Sequence, residues 1–210
     1  MTGAHKVSSA YFDRMYATAD DPWQLATRWY EQRKYAITMS LLPHRRYRHA
    51  FEPGCSIGTV TELLTQRCDH VTSVDVASAA LASAAARLEL AGCRSQVSLE
   101  LGALDEPWPD GPFDLVVLSE VAYYLDAELL ADVLRRECPR LAPGATLLAA
   151  HWRHPVDDYP IAGDEVHEII AATPGLVSTG RYRDDDVVIE VFDTGDGSSV
   201  AARESVPGAG

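Results

Sequence analysis

FEPGCSIGTVTELL, residues 51–64, decides the fold. A short strand, HAFE (residues 49–52), runs into Pro53-Gly54, and after Gly58 a helical pattern covers residues 59–66. Gly54 lets the chain turn sharply at the strand's end, and Gly58 lets backbone pass close to a bound ligand. Ser56 stands where a middle glycine often stands. The next β-branched run, HVTSVD (residues 70–75), ends on Asp75, 21 positions after Gly54. A carboxylate there can accept both hydroxyls of a ribose, with Val76 beside it.

A dinucleotide site would hold pyrophosphate at the helix N-terminus with GxGxxG spacing. Here the spacing is GxSxG and Glu52 precedes it. An acidic residue repels pyrophosphate but suits the ammonium of an amino-acid tail, which favours S-adenosylmethionine (SAM) over a nicotinamide cofactor. A glycine turn that only packs helix on strand is the structural alternative, and Asp75 weighs against it.

Outward from this unit, strand and helix alternate. A helix spans residues 77–91 and ends at Gly92. Residues 96–101 alternate like a strand, and DLVVLS (114–119) is a continuous apolar run, as in a strand buried on both faces. Asp126 opens a helix with Leu130, Val133, Leu134 and Leu141 inward. Pro143-Gly144 ends it before a strand at 145–150. Residues 177–183 and 187–193 read as a hairpin around Asp184-Asp185-Asp186. Asp21-Pro22 reads as a helix start, with the helix running to Pro43 and Trp29, Arg33 and Ile37 on one face. This order gives an α/β, doubly wound sheet. It implies one domain over residues 1–195, with a helical lid over about 1–43 and an unstructured tail, 196–210.

The 210 residues carry 31 acidic against 18 basic side chains, a formal charge of −13. That charge disfavours nucleic acid and anionic membrane as partners and attracts cationic ones. The four cysteines form no CxxC pair, so neither a metal site nor a redox motif is spelled out. The N-terminus has no apolar signal-peptide core, and no stretch reaches the roughly 18 apolar residues of a membrane span. The expectation is a cytoplasmic protein acting on a small molecule, with its oligomeric state open.

DDPW, RWYEQRKYAITMSLLP, EPGCSIGTVTELL, FDLVVLSEVAYYL and LAPGATLLAAHWRHP together resemble the nodulation-protein-S (NodS) family of SAM-dependent methyltransferases, over about residues 11–170. The most specific pieces are DPW, WYExRK, EPGCSIG and SEVxYYL. The resemblance implies a Rossmann-like class I methyltransferase sheet, seven-stranded and mostly parallel with a C-terminal antiparallel hairpin. It also implies N-methylation of the free amino group at the end of a deacetylated chitin-type oligosaccharide. The loop after the third strand departs from the usual acidic adenine contact. Asp105 is offset there, which leaves backbone groups of Ala103 and Leu104 to hold the adenine.

Ligands of such sheets bind at the carboxyl ends of the strands. Glu120 and Tyr123 after the fourth strand, and His151 after the fifth, are therefore the candidate catalytic groups. His151 and Glu120 rank as acceptor-orienting or proton-accepting. Ser119 joins the cofactor set, and Arg33 offers a planar fork for the SAM carboxylate. Trp23 and Asp21 are candidate lid residues. Three other readings stay open: O-methylation of a small metabolite, a nicotinamide-dependent oxidoreductase, and a non-catalytic SAM-binding module. The oxidoreductase would need GxGxxG and a hydride-relay pair such as Tyr-x-x-x-Lys, and neither is found.

Overall fold

A computed structural model describes residues 6–209; residues 1–5 of the expected lid and residue 210 of the expected tail lie outside the described residues. Helices α1 (Ser9–Thr18) and α2 (Trp29–Leu41) precede β1 (Tyr47–Pro53), α3 (Thr59–Thr65), β2 (Cys68–Asp75), α4 (Ser78–Leu90) and β3 (Val97–Leu101). Then come β4 (Leu115–Ser119), α5 (Ala127–Glu137), β5 (Thr146–Trp152), α6 (Gly163–Ala171), β6 (Val177–Arg183), β7 (Val187–Asp193) and α7 (Val200–Arg203). The seven strands form one sheet in the order β3-β2-β1-β4-β5-β7-β6. β1 to β5 pair in parallel, and β7 runs antiparallel between β5 and β6.

The sheet's two faces make two cores. Phe51, Val116, Leu118, Leu147 and Phe192 pack under α5 and α6. Val71, Leu115, Val117, Leu148 and Ile189 pack against Tyr35 of α2, Leu64 of α3 and Leu88 of α4. β4 is buried on both faces, which is why DLVVLS reads as an unbroken apolar run. Each such Val, Leu or Phe contributes about 1.5–3 kcal/mol by leaving water. Asp126 accepts a hydrogen bond from the Leu129 backbone N–H at 2.8 Å and so caps α5, a contact worth about 1 kcal/mol.

Two expectations are corrected. α2 begins at Trp29, not at Pro22. The Asp21 carboxylate instead accepts from Leu25 and Ala26 N–H groups, closing a turn that Gln24, at φ +58°, cannot continue as helix. The buried face of α2 is Glu31, Lys34, Tyr35 and Thr38, while Trp29 is exposed. Beyond Gly195 the chain does have structure. Ser199 caps the single turn α7 through Ala202 N–H at 3.1 Å, and Arg203 reaches Asp193. Helices α1 and α6 are additional to those read from the sequence. No helix among the described residues is long and apolar enough to cross a membrane.

Candidate functional site

A cavity of about 810 Å³ opens at the carboxyl ends of β1, β2 and β4, roofed by α1, residues 19–28 and the start of α2. Its floor is the turn after β1. Gly54 has φ +72°, and a Cβ on it would lie 2.7 Å from Val121 Cγ2. No larger residue fits between the loop and the Val121 segment. Ser56, at φ +51°, donates its backbone N–H to Asp75 Oδ2 at 2.8 Å. Its hydroxyl meets the Tyr16 hydroxyl of α1 at 2.5 Å.

Asp75 Oδ1 accepts from Ala77 N–H at 2.9 Å. Burial raises this carboxyl's pKa and the backbone N–H groups pull it back. Val76 N–H is a third backbone donor to this carboxylate, which lines the cavity and has four lone-pair sites in all. Glu52 lines it too, yet is only 3% exposed. Its Oε2 accepts the hydroxyls of Thr61 at 2.5 Å and Ser73 at 2.8 Å. Burial pushes its pKa up to about 7 against these two hydrogen bonds.

Val76, Ala103, Leu104 and Ser119 complete this end of the cavity. In the loop after β3, Ala103 N–H is engaged by Glu106 at 3.2 Å, and the Leu104 carbonyl accepts the Trp108 indole N–H at 3.2 Å. Asp105 also lines the cavity, paired with Lys6 at 2.6 Å. A ribose-type carboxylate, a glycine turn that a Cβ would block and an acidic group for an ammonium fit the adenosine and amino-acid parts of SAM.

The opposite end is built around Glu120, at φ +55°. Its Oε1 accepts from Lys34 Nζ at 2.6 Å. Its Oε2 accepts the Tyr123 hydroxyl at 2.6 Å and the Trp152 backbone N–H at 2.9 Å. Lys34 is 1% exposed and also pairs with Glu31 at 2.8 Å. Burial opposes the Lys34 charge, but Glu120 and Glu31 outweigh it and hold the pKa above the usual lysine value. Burial, and then Glu120, hold the Tyr123 phenol neutral. Tyr30 and Trp152 meet edge to face, centroids 5.2 Å apart, and Tyr30 lies under the Lys34 ammonium.

Three expected site residues are elsewhere. His151 is fully buried, does not line the cavity, and accepts the Ala122 backbone N–H on Nε2 at 3.3 Å. The reason is register: β5 runs on to Trp152, so His151 is still in the sheet and points with Ala149 into the α6 layer. Burial, then His167 and Lys34, lower its pKa well below the usual histidine value. Arg33 pairs with Asp184 at 2.8 Å and with the Tyr182 hydroxyl, outside the cavity lining. Gly58, at φ +76°, also lies outside it; a Cβ there would meet Ala84 Cβ at 3.0 Å, so this glycine serves the packing of α3 on α4. Trp23 lines the cavity as a lid residue should, whereas Asp21 does not.

Lys34 and Glu31 are the residues that sequence reasoning missed. They lie within the quoted WYEQRK segment, three positions apart and so on one helix face, which was the available signal.

The family model for Nodulation protein S (NodS) matches residues 10–156. Nodulation protein S of Bradyrhizobium diazoefficiens is 35% identical over 133 residues, 61% of this chain and 61% of the relative's own length. That of Sinorhizobium fredii is 29% identical over 83% of each chain. The structure of the N-methyltransferase NodS from Bradyrhizobium japonicum, in complex with S-adenosyl-L-homocysteine, superimposes with a TM-score of 0.77. It is 25% identical, over 88% of this chain and 97% of that one. With the seven-stranded class I methyltransferase sheet and its antiparallel end, the family model's match over most of the chain shows that this protein belongs to the NodS family.

Proposed function

We propose that this protein is a SAM-dependent N-methyltransferase whose acceptor is an amine on a small, polar, sugar-like molecule. SAM supplies an electrophilic methyl group on a sulfonium sulfur. The chain's part is to hold an amine lone pair in line with that carbon. One observation carries the amine reading: the acceptor end sets two carboxylates, Glu31 and Glu120, against one ammonium, Lys34, and no histidine is among the described lining residues. A hydroxyl acceptor leans on a base at the moment of attack, whereas an amine needs only its neutral form.

Glu120 attracts and orients the amine N–H, with its own oxygens fixed by Lys34, Tyr123 and Trp152. The rings of Tyr30, Tyr123 and Trp152 offer faces for a sugar or an ammonium. The amine sheds its proton to water, directly or through Glu120. The N-methyltransferase description of the Bradyrhizobium japonicum protein supports the methylated atom. The resemblance to enzymes acting on chitin-type amino sugars supports the scaffold. Free thiols at all four cysteines fit the reducing cytoplasm, and the charge of −13 disfavours nucleic acid.

The test is a methyl-transfer assay with labelled SAM across amino sugars, simple amines and their hydroxylated or N-acetylated counterparts. Turnover on free amines alone is the expected result. Turnover confined to hydroxyl or carbon acceptors overturns the amine reading and leaves the cofactor in place. No turnover at all, with SAM still bound, favours the non-catalytic module.

A further inference from the structure

His151, His167 and Glu190 form a buried hydrogen-bonded chain that the reaction above does not use. His151 on β5 and Glu190 on β7 face the same side of the sheet, and α6 lays His167 between them. Their exposures are 0%, 1% and 6%. Nδ1 of His151 lies 3.2 Å from Nε2 of His167, and Nδ1 of His167 lies 3.4 Å from Glu190 Oε2. Glu190 in turn accepts the Ser178 hydroxyl at 2.6 Å, and Arg181 Nε is 3.7 Å away. At the other end, His151 Nε2 faces the backbone N–H of Ala122 at 3.3 Å.

That backbone N–H can only donate, so it fixes the whole chain. His151 Nε2 must accept and its proton must sit on Nδ1. His167 Nε2 must then accept, and its proton on Nδ1 points at Glu190. Gly163 makes the approach possible. A Cβ there would collide with the Trp152 carbonyl and lie 3.1 Å from His151 Cβ, so only glycine lets the start of α6 come this close to β5.

We infer that His151, held by His167 and Glu190, is a positioning residue for the acceptor end of the cavity. Ala122 lies between Glu120 and Tyr123. Glu120 holds a left-handed backbone conformation at φ +55°, which needs support from its surroundings. Anchoring Ala122 N–H keeps the Glu120 carboxylate and the Tyr123 hydroxyl at their 2.6 Å contact, facing the acceptor. This assignment rests on the methyltransferase reading for its kinetic consequence, but not for its tautomers.

The experiment has two arms on the full-length protein. Histidine ¹⁵N NMR of the wild type should show the Nδ1–H tautomer for both His151 and His167; a proton on Nε2 of either ring overturns the chain. In the second arm, His151→Leu leaves a buried donor unmet, so acceptor kcat/KM should fall about tenfold or more. S-adenosyl-L-homocysteine affinity by calorimetry should stay within about twofold, because the cofactor end keeps its contacts. His151→Gln places a carbonyl oxygen near the former Nε2 and should recover most of the loss. Wild-type kinetics in a folded His151→Leu protein overturn the assignment. So does a loss of cofactor affinity in step with kcat/KM, which marks general loosening. Should the leucine variant not fold, His151→Asn, which also leaves Ala122 N–H unmet, carries the same expectations. A wild type inactive on every amine sinks the proposed function instead, while the tautomer result stands by itself.

Discussion

Glu52→Gln should make the cofactor-free protein more stable at pH 8 and no more stable at pH 4. Glu52 sits at the end of β1, sealed from water and partnered by two hydroxyls, with Asp75 adding repulsion. Burial lifts its pKa from 4.5 to about 7. Below pH 4.5 both the folded and the unfolded chain hold the proton. Between 4.5 and 7 the folded protein keeps a proton that the unfolded chain releases, so stability falls as pH rises; above 7 the deficit is constant. At 1.36 kcal/mol for each pH interval of one, it amounts to about 3 kcal/mol. Glutamine keeps a carbonyl for Thr61 and Ser73 and has no charge to bury. Urea unfolding at the two pH values measures the difference directly. At pH 8 the melting temperature should rise by roughly 6–12 °C, given 2–4 °C per kcal/mol for a chain of this size. The same substitution should weaken SAM binding, because the cofactor's ammonium loses its carboxylate. In the wild type, cofactor binding near pH 6.5 should release a proton, seen as a heat that changes with the buffer's ionisation enthalpy. No stabilisation at pH 8, or an equal gain at pH 4, would refute the reasoning that burial sets this pKa.

The remaining expectations concern both ends of the cavity. Asp75→Ala removes the ribose acceptor and should lower SAM affinity by about 1.5–3 kcal/mol for each bond lost; calorimetry giving wild-type affinity would show that Asp75 does not meet the ribose. Gly54→Ala should abolish cofactor binding, since its Cβ falls 2.7 Å from Val121 at φ +72°, whereas Gly92→Ala, at φ +71° with nothing within 4 Å, should leave affinity unchanged and lower stability by only about 1 kcal/mol. Lys34→Met leaves Glu31 and Glu120 facing each other without a cation and should destabilise the fold by about 3–5 kcal/mol. Adding Glu31→Gln should return part of that loss, and thermal melts of the two variants check it.

The sheet was legible because its strands announce themselves: DLVVLS is an apolar run buried on both faces, and VTSVD is rich in β-branched residues, its buried Ser73 satisfied by Glu52. The glycine turn and Asp75 were legible for a related reason, since φ above zero and a strand-end carboxylate leave local marks. The start of α2 was misread because Asp-Pro opens a turn with the same signals it gives a helix. α6 was missed because GDEVHEIIA is short and begins with glycine, a residue chosen for its closeness to Trp152 and not for helix formation. His151 was misplaced because the end of β5 was set at Ala150, two residues early. Partners far apart in sequence, such as Lys34 with Glu120 or His151 with His167, leave no local trace.

Among the described strands β7 comes last in sequence, and it joins β6 to the rest of the sheet. Until β7 emerges, β5 presents an open edge with the sequence TLLAAHW, mostly apolar and without Asp, Glu, Lys or Arg, the kind of edge that recruits neighbouring chains. β6 cannot protect it, because it pairs with β7 alone. A chain truncated before Val187 would therefore keep every residue of the cofactor turn and yet be an aggregation-prone fragment.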